Sequence, residues 1–300
     1  MDGFIIRSIG LGVLLPAVLA GVIALFGRAK LGAWAGAIGV TVGFVAGYIG
    51  VQGMLPFVPR TVPELLPALA IIGLLWAYVE RFWLHSSTLT WLLRLVPLAL
   101  LELFLYFRIF SGRITARFNP WTTGDIILNL AVPAITIALI WVFLTLALPP
   151  ANATNIEATD ADDSDNTPAK RSLAVVVTAL IVLCTGVAVS LVLAGSAIVA
   201  QIVGALAAAL GAVMVLAWVF PAPYLSVSVV PVIALVLGGA LSLGGFFAAT
   251  LPWYGAVLLA VTALFLYVGH NRPFMMRVAV QLGGTAVLAA ISAFIAFQTH

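Results

Sequence analysis

Ten stretches of predominantly apolar residues divide this chain, each about as long as a helix must be to cross hydrocarbon, roughly 17 to 25 residues. They lie at 5–26, 31–53, 63–80, 88–110 and 124–148, then at 172–194, 197–220, 224–248, 251–268 and 275–298. The bilayer core offers no water to backbone N–H and C=O groups, so a crossing segment must be a helix or part of a closed barrel. The runs are continuous rather than alternating, which excludes the barrel. Composition points the same way: 64% of residues are hydrophobic and 8% charged. A water-soluble domain carries about a quarter charged residues. The sequence therefore predicts an all-α polytopic membrane protein of ten transmembrane helices. Arg7, the apolar residues 9–18 and the small residues Ala20-Gly21 also resemble a secretory leader with its cleavage site. The internal repeat favours a retained first helix.

That repeat is an ordered series of matches between the two halves. Arg7-Ser8 returns as Arg171-Ser172 and the pair Pro59/Pro67 as Pro223/Pro231, both 164 positions on. Thr88-Leu89-Thr90-Trp91 returns as Thr250-Leu251-Pro252-Trp253, and Leu103-Phe104-Leu105-Tyr106 as Leu264-Phe265-Leu266-Tyr267. Each match alone is weak in so apolar a chain; their order and slowly drifting offset carry the reading. It divides the chain into a five-helix repeat (1–148), an acidic solvated linker (149–171) and a second five-helix repeat (172–300). Pro149-Pro150 ends the fifth run, and Glu157, Asp160, Asp162, Asp163 and Asp165 follow with almost no bulky apolar residue.

An odd number of helices per repeat sends the second copy into the membrane from the opposite side, an inverted topology about an axis in the membrane plane. Such a fold blurs the positive-inside bias. Arg28, Lys30, Arg81, Lys170, Arg171, Arg272 and Arg277 fall on one side, and Arg7, Arg60, Arg108, Arg113 and Arg117 on the other. The richer side places the linker in the cytoplasm and both termini outside, in a membrane expected to be the bacterial plasma (inner) membrane.

Small residues recur four apart at Gly39, Gly43 and Gly47 in the second run and at Gly204, Ala208 and Ala212 in the seventh, as helix-packing stripes do. Pro67, Pro97, Pro133 and Pro231 fall within runs, where each would free a carbonyl and bend the axis. Most charges have ordinary explanations. Thr61-Val62-Pro63-Glu64 reads as a capping box, Asp125 as a first-turn acid, and Glu80 with Arg81 as anchors at a helix end beside Trp83. Arg94 and Glu102 do not, because both lie inside the run 88–110. Eight residues apart on one helix, they are separated by about 12 Å along the axis, so a direct pair is stretched and a side chain from another helix could complete it. They are the candidate substrate- or proton-binding residues, with a structural buried pair as the other reading. From Ser172 to His300 there is no Asp or Glu, and the embedded polar groups are amides and hydroxyls such as Gln201, Ser226, Ser228 and Gln281.

Catalytic, metal and cofactor motifs are absent. His85, His270 and His300 are dispersed, Cys184 stands alone, and neither a nucleophile elbow nor a phosphate loop is present. The chain is thus not expected to be an enzyme or to bind nucleic acid. Its expected partners are the lipid bilayer, a small-molecule substrate, and a second copy or another membrane protein. Two function classes remain. One is a small secondary transporter of an amphipathic or small organic solute, whose general architecture of two inverted halves is shared by several carrier families, among them the drug/metabolite transporters. The other is a non-transporting scaffold or accessory subunit packing a partner through its small-residue faces. Reporter fusions test the topology. Alkaline phosphatase joined after His300 should be active and green fluorescent protein inserted near Asp160 should fluoresce; both reporters reading the same side would overturn the odd helix count per repeat.

Overall fold

The structure is a computed structural model that describes residues 10–32, 34–55, 63–83, 93–94, 96–97, 99, 123–148, 167–219, 226–244, 251–268 and 273–298, with the side chains of 81–83, 123–130, 167–173 and 217 excepted. Among the described residues the secondary structure is helical, with no strand. The helices are α1 (Gly10–Leu31), α2 (Trp34–Gln52), α3 (Leu65–Trp83), α4 (Thr123–Ala147), α5 (Thr167–Leu193), α6 (Ala197–Val219), α7 (Val227–Ser242), α8 (Trp253–Val268) and α9 (Phe274–Gln298). Five segments are long and apolar enough to cross a membrane, by length and composition: α1, α2, α9, residues Ala174–Leu193 of α5 and Ala197–Leu216 of α6.

Local chemistry explains most helix ends. Arg28 and Lys30 complement the dipole in the last turn of α1, and Gly32, at φ 57°, turns the chain while its N–H bonds the Arg28 carbonyl. Gly195, at φ 79°, does the same between α5 and α6. Two sequence expectations change. The helix α5 starts at Thr167, so 167–171 belong to it rather than to the linker; Pro168 in its first turn lacks an N–H where none is needed. Pro231 likewise sits in the first turn of the regular part of α7, after a 3₁₀ turn at Val227–Val229, and so opens that helix instead of bending it. Pro133 does lie inside α4.

Hydrocarbon supplies no hydrophobic drive between helices, so close approach must hold them. A methyl added at Gly43 would stand 2.5 Å from the Pro16 carbonyl oxygen of α1 and 3.2 Å from the Ala209 methyl of α6. Gly47 faces Pro16 and Ala205 in the same way, and Gly39 faces the Ala20 carbonyl. The partner stripe on α6 is thus Ala205/Ala209, one residue along from Gly204/Ala208. Gly204 meets no atom within 4 Å, while Ala212 faces Gly21 of α1. In the other group of helices one contact is backbone on backbone, where a Cβ at Gly73 of α3 would lie 2.7 Å from the Val232 Cα of α7.

The helix α7 is the centre of the molecule: every residue from Val230 to Ser242 is buried, between α3 on one side and α4 on another. Around it run α2, α1, α6, α5, α9 and α8, each packed on the next, with α8 closing against α4. Facing outward, α1 and α9 expose Val18, Phe26, Met275, Phe294 and Phe297. Apolar surface of that extent belongs in lipid. Gly43→Ala should lower the unfolding temperature of the detergent-solubilised protein by an amount corresponding to about 1–3 kcal/mol of overpacking. Gly204→Ala, with open space and better helix propensity, should leave it unchanged or raise it.

Candidate functional site

Arg28 and Lys30 are exposed at the end of α1, but Arg94 is drawn inward. Arg94 pairs with Glu80 of α3, its Nε donating to Oε1 at 2.8 Å and its Nη2 to Oε2 at 3.0 Å. The two side chains are only 9% and 13% exposed. Trp76, one turn before Glu80, donates its indole N–H to the same Oε1 at 3.0 Å. On the far side of the guanidinium, Nη1 donates to Thr145 Oγ1 at 3.3 Å, and Thr145 itself donates to the Trp141 carbonyl of α4. The guanidinium carbon lies 6.0 Å from the centre of the Trp141 ring, within cation–π range. Trp141 is buried and its indole N–H has no hydrogen-bond partner among the described residues.

Chain direction explains why these residues meet. Glu80 lies near the end of α3 and Thr145 near the end of α4, and Arg94 bonds to both, so α3 and α4 run in the same direction and present their carboxyl ends to the site. The amino end of α7 arrives there too. From the Gly73–Val232 contact, Glu80 is seven residues onward and Ser228 four residues back, which places them within about one helical turn of each other along the bundle. Ser226 caps that end: its hydroxyl accepts from the Ser228 N–H and lies 2.7 Å from the Ser228 hydroxyl, both residues being buried.

Arg94 therefore has a partner from another helix, Glu80, of the kind the sequence left open. Glu80, which the sequence alone reads as an anchor at a helix end, is a largely enclosed member of this ion pair. Its signal in the sequence was its position: the end of one apolar run and the beginning of the next lie at the same membrane face. Glu102, Thr61 and most of the linker lie outside the described residues. Gln201 is exposed on α6, whereas Gln281 is fully buried in a π turn of α9, donating to the Leu266 carbonyl while its Oε1 has no partner among the described residues. Cys184 is buried in α5. The described residues hold no group of His, Cys, Asp or Glu that could ligate a metal.

No protein-family model, no curated protein and no solved structure matches the chain. What fold and site define together is a class: an all-helical, membrane-embedded protein with an ion pair enclosed at one end of its bundle. Breaking one side of a buried pair strands the other charge, at a cost of about 3–5 kcal/mol. Glu80→Ala and Arg94→Ala should therefore each lower the unfolding temperature sharply. The double variant Glu80→Gln/Arg94→Gln should lower it less than either, as a double-mutant cycle by thermal unfolding would reveal.

Proposed function

We propose that the chain is a small secondary transporter, carrying an amphipathic or small organic solute by alternating access between two inverted five-helix halves. The observation that carries this reading is the Glu80–Arg94 pair. Its members come from different segments, and it is enclosed at one end of a bundle whose other walls are almost wholly apolar. An ion pair in such a place costs desolvation that well-packed apolar residues would not, so its retention fits a working role. Three features support the inverted repeat. The positive-φ glycines Gly32 and Gly195 occupy corresponding turns, 163 residues apart, within one residue of the 164-residue offset that flanks them. The helices that the repeat equates, α2 with α6 and α3 with α7, pack directly on each other, as elements astride a pseudo-two-fold axis must. The stripe of α2 also answers the small residues of α6.

One observation favours the scaffold reading. The contacts of Gly73 with Val232, Gly238 with Ile137 and Gly239 with Leu69 leave the two halves tightly interlocked along α7. The readings differ in whether the halves move. Spin labels at Phe26 of α1 and Met275 of α9, both exposed positions in different halves, report that motion in a Cys184→Ala background. A carrier should show two populations of label-to-label distance by double electron–electron resonance in lipid nanodiscs. A single narrow population would leave the scaffold.

A further inference from the structure

We infer that one water molecule is built into the junction of α5, α8 and α9, donating to Gln281 Oε1 and Thr262 Oγ1 and accepting from the Thr285 hydroxyl. The inference concerns the second half of the chain alone and stands whether or not the halves move.

Helix ends and register bring the three groups together. The helix α8 stops at Val268, so the Leu266 carbonyl is among the last four that find no donor within their own helix. Gln281 Nε2 supplies a donor, which sends Oε1 to the other side of the amide, where no described group meets it. At the far end of the same contact Ser292 donates to the Gly255 carbonyl, so α8 and α9 run antiparallel. Gly255, Thr262 and Leu266 share one face of α8, being seven and four residues apart, and Gln281, Thr285 and Ser292 share one face of α9, being four and seven apart. Thr262 therefore stands level with Thr285 across the helix pair. Gln281, Thr262 and Thr285 are all fully buried.

Thr285 departs from the pattern of the other helical threonines. Thr41, Thr136, Thr145, Thr178 and Thr262 each donate to the carbonyl four residues back. For Thr285 that carbonyl belongs to Gln281, inside the π turn Ala279–Gly283, where the wider hydrogen-bond pattern shifts it and the Gly284 N–H already uses it. Among the described residues a buried hydroxyl and a buried amide oxygen are thus unmatched one turn apart on α9, and they do not bond each other. Residues so spaced have Cβ atoms about 5–6 Å apart, a gap that two hydrogen bonds through one oxygen span. The Thr262 hydroxyl has given its hydrogen to Leu258 and still accepts. A water meets all three groups, and about three bonds is the usual number for a buried one. Charge argues against an ion. The described side chains of α5 and α8 carry no charge and α9 carries only Arg277, one turn before Gln281, so a cation would lack a counter-charge and Oε1 would repel an anion. Size argues against an organic molecule, because Phe265 lies against Gly284 and Ala289 against Gly186 on either side.

High-resolution crystallography of the full chain, grown in lipidic mesophase, should show a density peak about 2.5–3.2 Å from both Gln281 Oε1 and Thr285 Oγ1. A wild-type map without that peak, with the Thr285 hydroxyl turned onto Gln281, would overturn the inference. Thr285→Val keeps the shape and removes the hydroxyl. It should lose the peak and unfold a few degrees below wild type, because Gln281 Oε1 loses its donor. A dry site gives the opposite sign: valine then removes an unpaired hydroxyl, and the unfolding temperature stays level or rises, which would refute the water. Thr285→Ser retains the hydroxyl and should retain the peak. Density that survives in the valine variant, or vanishes in the serine one, would sink the proposed bonding. Exchanging choline chloride for sodium chloride should leave the wild-type unfolding temperature where it is; a rise specific to sodium would assign the peak to a cation instead.

Discussion

Contact distance, rather than exclusion of water, is the constraint from which the rest of this structure follows. Lipid tails are as apolar as leucine, so helices in a bilayer gain little by hiding such side chains from their surroundings. What they gain comes from packing density and from backbones that touch. The stripe on α2 lets α1 and α6 lie against it, and Gly73 lets α7 lie against α3 with its main chain at van der Waals range. Once α7 is held in this way it needs no lipid-facing surface, and its short length ceases to matter. At about 24 Å for its sixteen residues it falls short of the hydrocarbon thickness, but its surroundings are protein.

Within that dry packing the Glu80–Arg94 pair stands out energetically. Each charge would be untenable alone, and the pair is tolerated because hydrogen bonds from Trp76 and to Thr145 take up further polar capacity. The network is also asymmetric. Three hydrogen bonds reach the two oxygens of Glu80, while the Trp141 indole N–H has no acceptor among the described residues.

The fold was readable from the sequence to the extent that length and continuity of apolar runs decide it. Each of the nine described helices falls on one of the ten runs, because hydrocarbon permits little else. Capping and end positions were less legible. Thr167-Pro168 begins a helix inside what reads as linker, since polar composition alone does not distinguish a solvated coil from a solvated first turn. Site residues were legible only singly. Arg94 was visible as a charge in an apolar run, but Glu80 was masked by the ordinary habit of charges at helix ends, and Trp141 by the abundance of aromatics. Their association depends on helix directions and rotations, which the pattern of one segment does not contain. The small-residue stripe on α6 shows the same limit: spacing identified the four-residue period, and only the packing reveals that Ala205/Ala209 is the face used against α2.

The central position of α7 has a consequence in time as well as in space. Its surfaces complement α3 and α4, yet Val232 follows Gly73 by 159 residues, which a ribosome needs roughly 10 to 30 seconds to add. Throughout that interval the nascent first half sits in the bilayer with the Gly73 face open and the neighbouring acid and guanidinium unsheltered by their final roof. Biogenesis of this protein thus has a vulnerable window, bounded by the synthesis of one short helix, in which the newborn chain must be kept from burying those surfaces against the wrong neighbour.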